Sequence, residues 1–258
     1  MGNIRYDFTG KTVIVTGGVS GIGRAVSLGF ARAGANVVMC CLPGEALGPV
    51  SYREVLDEGG KAILVEVDIS DEEQVEAMVQ KAIEAFGKVD IFVSNAAAFD
   101  GYRKLLDTTP EQWRRVMDVN LNGNYYICRH ILPHMLSNGG GVLVFVSSIA
   151  GVIAGHGGAA YTTSKHGVNG LVKQITFDYG REGIRANAVC PGSTYTPLSA
   201  AGLETEKSKK KLSWTPYGTY GQPEFIANEV LYLASDEAEF IYGTVRLVDG
   251  GNQVRKWE

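Results

Sequence analysis

Tyr161 and Lys165 lie four residues apart in Gly157-Gly158-Ala159-Ala160-Tyr161-Thr162-Thr163-Ser164-Lys165. On a helix, residues at that spacing project from one face, one turn apart. A free phenol titrates near pH ~10 and carries protons poorly at neutral pH. A neighbouring ammonium favours the phenolate and lowers that value. The pair therefore suits proton transfer where an alkoxide forms or collapses. The competing reading is a helix that carries Tyr and Lys at this spacing without chemical purpose, and the rest of the chain has to decide between them.

A second piece of chemistry sits near the start. Lys11-Thr12-Val13-Ile14-Val15 is a β-branched run that reads as a buried strand. It enters Thr16-Gly17-Gly18-Val19-Ser20-Gly21-Ile22-Gly23. Glycines at 17, 21 and 23 permit a tight strand-to-helix turn and close backbone approach to a ligand. The helix expected over residues 22–33 points its N-terminus at that ligand, which suits a pyrophosphate. The spacing is G-x-x-x-G-x-G, and its place after the first strand favours a dinucleotide over a plain glycine-rich turn.

The remaining elements alternate. Strands are expected over residues 36–41, 61–67, 90–93, 141–146, 184–190 and 244–248, and helices over 49–58, 70–86, 110–135, 160–180 and 223–235. Ser70 reads as the N-cap of its helix, with acids in the first turn. Such alternation predicts an α/β fold, a single Rossmann-like doubly wound parallel sheet over residues 1–258 with helices on both faces. Ligands in such sheets bind outside the carboxyl ends of the strands. The glycine turn, Asn95, Ser148 and Pro191-Gly192 each follow a strand's carboxyl end, so they should converge on one edge.

Composition bounds the partners. Hydrophobic residues make up 45% and charged residues 20% of the 258, and the net charge is −4 with no basic domain, which argues against nucleic acid. No apolar run reaches the ~18 residues of a membrane span, and Met1-Gly2-Asn3-Ile4-Arg5-Tyr6 lacks the apolar core of a signal peptide. Cys40, Cys41, Cys128 and Cys190 form no C-x-x-C pair and read as reduced, buried thiols of a cytoplasmic protein.

These motifs together resemble the short-chain dehydrogenase/reductase family. The resemblance covers nearly the whole chain and rests on the glycine turn, Asp68, Ser94-Asn95-Ala96-Ala97, Asn120, Ser148, Tyr161-x-x-x-Lys165, Pro191-Gly192 with Thr196, and Asp249-Gly250-Gly251. It implies hydride transfer between a nicotinamide and an alcohol or carbonyl carbon. Tyr161 would be the general acid or base, Lys165 would lower its pKa and hold the nicotinamide ribose, and Ser148 would hold the substrate oxygen. Asn120 would kink its helix and hold a relay water. Cofactor contacts would come from Gly17, Ser20, Gly21, Ile22, Gly23, Cys41, Leu42, Asp68, Ile69, Asn95, Ala96, Ala97, Tyr161, Lys165, Pro191, Gly192, Thr194 and Thr196. Asp68 also reads as a cap for the next helix, and Thr196 as a turn residue. Ser147 is the neighbouring alternative to Ser148, facing the other side of its strand. The family's Asn-Asn-Ala-Gly is Ser94-Asn95-Ala96-Ala97 here.

NAD-selective members carry Asp where this chain has Cys41, and NADP-selective members carry a cation near Leu42 or Ser20. Neither is present, so NAD is favoured over NADP while use of both stays open; Arg53 is a further candidate contact. A homotetramer is the family expectation, with Tyr125, Tyr126, Ile127, Val168, Leu171 and Ile175 as a second apolar stripe. Residues 193–222 should form a substrate lid. Its Glu206-Lys207-Ser208-Lys209-Lys210-Lys211 run reads as a solvated helix face. The sharper alternative closes one lysine, Trp214 and His156 over a small polar substrate, a sugar, polyol or hydroxy acid. His156 bonding only loop backbone is the plain alternative. No metal is expected. Rival functions are a non-catalytic dinucleotide sensor or assembly subunit, a dehydratase or epimerase with tightly held cofactor, and a carbonyl reductase acting on apolar ketones.

Overall fold

A computed structural model describes residues 5–254, so part of the N-terminal stretch read above lies outside the described residues. Among the described residues, seven parallel strands form one sheet in the order β3-β2-β1-β4-β5-β6-β7. They are β1 (Thr12–Thr16), β2 (Asn36–Cys41), β3 (Lys61–Glu66), β4 (Ile91–Ser94), β5 (Gly141–Val146), β6 (Ile184–Pro191) and β7 (Val245–Val248). Strand order reverses between β1 and β4, and such a switch point opens a crevice at the strands' carboxyl ends.

Alternation along the strands splits the core in two. Ile14, Val38, Phe92, Leu143 and Phe145 face one layer, with α3 (Glu72–Phe86), α5 (Gly123–Ser137) and α6 (Ala159–Tyr179). Val13, Val15, Val37, Met39, Val93 and Val144 face the other, with α1 (Gly21–Arg32), α2 (Leu47–Asp57) and α9 (Pro223–Ala234). Phe92 and Phe145 meet edge to face at 5.8 Å across β4 and β5, an arrangement worth about 1 kcal/mol beyond the area it buries. All four cysteines are free and buried.

Three expectations need correction. The cap of α3 is Asp71, whose carboxylate accepts from the Glu73 and Gln74 N–H groups; Ser70 instead donates to Asp68. The helix expected over 110–135 is α4 (Pro110–Met117), a π-helical stretch Asp118–Asn122, and α5. The supposed second apolar stripe is largely core: Ile127, Val168 and Ile175 are buried, while Tyr125 is exposed. Residues 193–222 carry two short helices, α7 (Ala200–Leu203) and α8 (Glu206–Ser213), and a bridge joins Thr194 to Gly221.

Candidate active site

The crevice between β1 and β4 is built by hydrogen bonds from Asn95. Its Nδ2 donates to the Thr16 and Gly17 carbonyls at 3.0 and 3.1 Å, and the Thr16 hydroxyl accepts from the Asn95 and Ala96 N–H groups. The glycine turn is thus tied to the end of β4. A side chain at Gly23 would run into the Gly17 carbonyl and Asn95 Nδ2, so only glycine permits that packing. Helix α1 begins there with no side-chain cap and no acid in its first turn. Its uncapped N–H groups and positive dipole end fit a pyrophosphate.

A cleft of about 600 Å³ extends from this turn to the catalytic candidates. Gly17, Ser20, Gly21, Ile22, Cys41, Leu42, Asn95, Ala96, Ala97, Ser148, His156, Tyr161, Lys165, Pro191, Gly192, Thr194 and Thr196 all line it. Thr196 also has the turn bonds of its alternative reading, its N–H and hydroxyl both meeting the Ser199 hydroxyl. Five expected residues are not in the wall. Gly23 packs behind the turn, and Asn120 is fully buried. Asp68 is engaged by Ser70 and by Arg115 Nη1 at 3.1 Å, and Ile69 is buried beside it. Trp214 lies under the Lys210 ammonium at 6.0 Å, and none of Lys207, Lys209, Lys210 or Lys211 lines the cleft. The lysine run is therefore a solvated helix face, with Lys209 paired to Glu206 at 2.9 Å.

The Ser148 side chain acts on the Tyr161 phenol, lowering its pKa, and Ser148 Oγ accepts from the Ala150 N–H at 3.0 Å. Ser147 turns the other way, donating to the Lys165 carbonyl at 3.3 Å. Lys165 Nζ donates to the Val146 carbonyl at 2.9 Å and lies 5.6 Å from the centre of the Tyr161 ring. Asn120 anchors this helix from behind: Nδ2 donates to the Ala98 carbonyl and to the Ser164 hydroxyl, which in turn donates to the Tyr161 carbonyl. The Asn120 carbonyl, released in the π-helical stretch, accepts from Asn124 Nδ2 at 2.7 Å.

The electrostatics depart from the sequence expectation. Burial pushes the Tyr161 phenol up to about 12, against a lowering from its Ser148 hydrogen bond; Tyr102, Asp100 and Cys190 raise it further. Burial also brings Lys165 down to about 8. Desolvation is thus the largest influence on the phenol.

Some wall residues gave no sequence signal. Phe99, Tyr102, Ile149, Leu198 and Leu203 add apolar lining to the cleft, and Glu45 lines it beside Cys41 and Leu42. Phe99 meets Tyr161 edge-on at 5.1 Å and Tyr102 at 4.9 Å. Tyr102 adopts φ +60°, the left-handed region that bulky residues avoid.

Known proteins with this arrangement match along almost the entire length. A family model described as enoyl-(acyl carrier protein) reductase matches residues 17–253. The 3β-hydroxysteroid dehydrogenase 2 of Eggerthella lenta is 38% identical over 94% of both chains. The chain belongs to the short-chain dehydrogenase/reductase family. An L-rhamnose 1-dehydrogenase (NAD(P)+) of a Sphingomonas species is 37% identical, covering 95% of this chain and 97% of that one. A solved 7α-hydroxysteroid dehydrogenase, complexed with NADH and 7-oxo glycochenodeoxycholic acid, matches with a TM-score of 0.89 at 32% identity over 97% of this chain and 98% of that one. This member of the family is accordingly an NAD(P)-dependent oxidoreductase acting on CH–OH groups of small molecules. Among the described residues no helix is long and apolar enough to cross a membrane, and no His, Cys, Asp and Glu cluster could hold a metal ion.

Proposed function

We propose that the protein oxidises a secondary hydroxyl carried on a six-membered ring, with NAD, or reduces the corresponding ketone. The carrying observation is that Tyr161, Ser148 and Lys165 line one cleft that leads to the glycine turn, with the Ser148 side chain close enough to the phenol to lower its pKa. Substrate oxygen held by both hydroxyls places its proton at Tyr161 Oη. Tyr161 takes that proton during alcohol oxidation and returns it during ketone reduction. Ser148 fixes the oxygen, and Lys165 supplies the nearby positive charge that favours the phenolate. The bound nicotinamide supplies or accepts the hydride. The uncapped start of α1, the Gly17–Asn95 junction and Lys165 are the groups fitted to hold it.

The ring reading replaces the lysine-closed polar pocket, whose lysines and Trp214 stand away from the cleft. Phe99, Tyr102 and Leu198 give the lining apolar surface, and His156 and Ser193 give it polar groups. Two of the similar proteins are named for a hydroxysteroid and for rhamnose, compounds that bear hydroxyls on six-membered rings. A panel of cyclohexanols, pyranoses, open-chain hydroxy acids and acyclic ketones, followed by nicotinamide absorbance, tests it. Cyclic alcohols should give kcat/KM at least about tenfold above acyclic ones, the value of one lost apolar contact set. Fastest turnover on open-chain substrates would refute the ring reading.

For the cofactor, NAD is supported by charge at the end of β2. Glu45 lines the cleft, and Glu45 and Glu66 both act on the Cys41 thiol there. Among the described residues Lys165 is the sole Lys or Arg in the wall, and Arg53 is not part of it. A 2′-phosphate would meet carboxylates and find no cation. Glu45→Arg should lower the ratio of the NADPH and NADH dissociation constants by ~10-fold or more, since a charge-assisted bond contributes ~1.5–3 kcal/mol. Titration of both reduced cofactors into the variant measures this, and an unchanged ratio would place the ribose away from Glu45.

A further inference from the structure

Helix α6 carries both Tyr161 and Lys165 yet begins without a cap of its own. Its N-cap is Gly158, which has no side chain to offer, and its first turn contains no acid. The four leading N–H groups of a helix need partners, and a negative group there is favoured by the helix dipole. Asp100 fills this role from about 60 residues upstream. Its Oδ1 accepts from the Gly158 N–H at 2.9 Å, and its Oδ2 accepts from the N–H of Tyr161 itself at 2.8 Å. The Arg103 carbonyl takes the Ala159 N–H at 3.0 Å. Asp100 is 6% exposed, so these bonds are shielded from water.

The approach is close enough to require glycine. A methyl group at Gly158 would stand 2.5 Å from Asp100 Oδ2 and from the Arg103 carbonyl. The loop that Asp100 fastens also bears Phe99 and Tyr102, the apolar side of the cleft. Tyr102 follows in the left-handed conformation while its N–H bonds Asp100 Oδ1 at 3.2 Å. One carboxylate thus joins the start of the catalytic helix to the wall against which substrate would rest.

We infer that Asp100 is a positioning residue for the reaction: it caps α6 from outside and fixes the backbone of Tyr161. The inference rests on the reading of Tyr161 as the proton-transfer group. The groups facing that phenol are Ser148, Lys165 on its own helix, Tyr102 and Asp100 on the loop, and Cys190 on β6; His156 shares the cleft. Burial is the largest influence raising the phenol, and the negative charge of Asp100 adds to it. Neutralising Asp100 should therefore ease formation of the phenolate.

Asp100→Asn and Asp100→Ala are compared with the parent protein for kcat across pH, NADH dissociation constant and thermal midpoint, with Tyr161→Phe alongside. In Asp100→Ala, kcat should fall ~10–100-fold, the scale of a misplaced catalytic group, while NADH binding stays within about twofold. In Asp100→Asn, which keeps one acceptor oxygen, the fall should be smaller, and the rising limb of the alcohol-oxidation profile should move to lower pH. A kcat within about threefold of the parent in Asp100→Ala overturns the inference. So does an unmoved pH limb in Asp100→Asn, or a loss of kcat that only tracks weakened NADH binding and a lowered midpoint. An active Tyr161→Phe would instead sink the reading of Tyr161, whatever the Asp100 variants do.

Discussion

Tyr161→Phe is expected to retain NADH binding and lose turnover by ~10²–10⁴-fold, the usual contribution of positioned proton transfer. The ring stays, so its edge-on contact with Phe99 and the packing of α6 survive. What disappears is the hydroxyl on which Ser148 acts. Cofactor titration beside steady-state kinetics separates the two effects. Activity near that of the parent would relocate the proton to another group of the cleft, with His156 next to be tested.

Lys165→Met should lose activity on a similar scale while changing how stability responds to pH. A unit charge about 5.6 Å from the phenol ring, at an effective dielectric of ~20, contributes roughly 3 kcal/mol to the phenolate, or ~10²-fold in rate. The stability effect follows from the direction of the shift. Lys165 titrates at about 8 in the fold and at 10.5 in the unfolded chain. Between those values the unfolded chain binds more protons, so the Lys165 contribution to stability rises as pH rises. Near neutral pH the buried ammonium is a net penalty. Buried thiols act oppositely at alkaline pH but are common to both proteins and cancel in the difference. Urea unfolding at pH 8 and pH 10 should show the parent gaining about 2 kcal/mol relative to Lys165→Met across that interval. Parallel pH responses would mean that Lys165 is not desolvated as the structure has it.

Sequence patterns carried the parts of this protein that are local. The β-branched runs, the glycine turn and the four-residue spacing of Tyr161 and Lys165 each announce their geometry within one element, and each stands where it was expected. Asp71 was lost to Ser70 because both are good caps and adjacent. Asp100 and Glu45 were invisible for another reason. Their roles exist only after a loop meets a helix start 58 and 61 residues away, or a cleft closes around the end of β2. Ile127, Val168 and Ile175 show the limit of amphipathic reading: a helix covered on two sides has two apolar stripes, and the pattern does not say whether the second cover is the same chain. The phenol was misjudged because an ammonium four residues away is visible in a sequence, whereas burial, the largest influence on the phenol, is a property of the whole fold.

The π-helical stretch at Asp118–Asn122 has a consequence for the rod that α4 and α5 form together. Each residue of a helix turns the chain by about 100°, so one residue accommodated in a wider turn rotates everything after it by nearly that angle. Before the stretch the rod packs on α6, and after it on α3. The bulge acts as a phase shifter, letting a single unbroken helix address two neighbours on different sides. Removing one residue between 118 and 122 would restore a regular ladder and misdirect the whole of α5, a fault that no single side-chain replacement further along could repair.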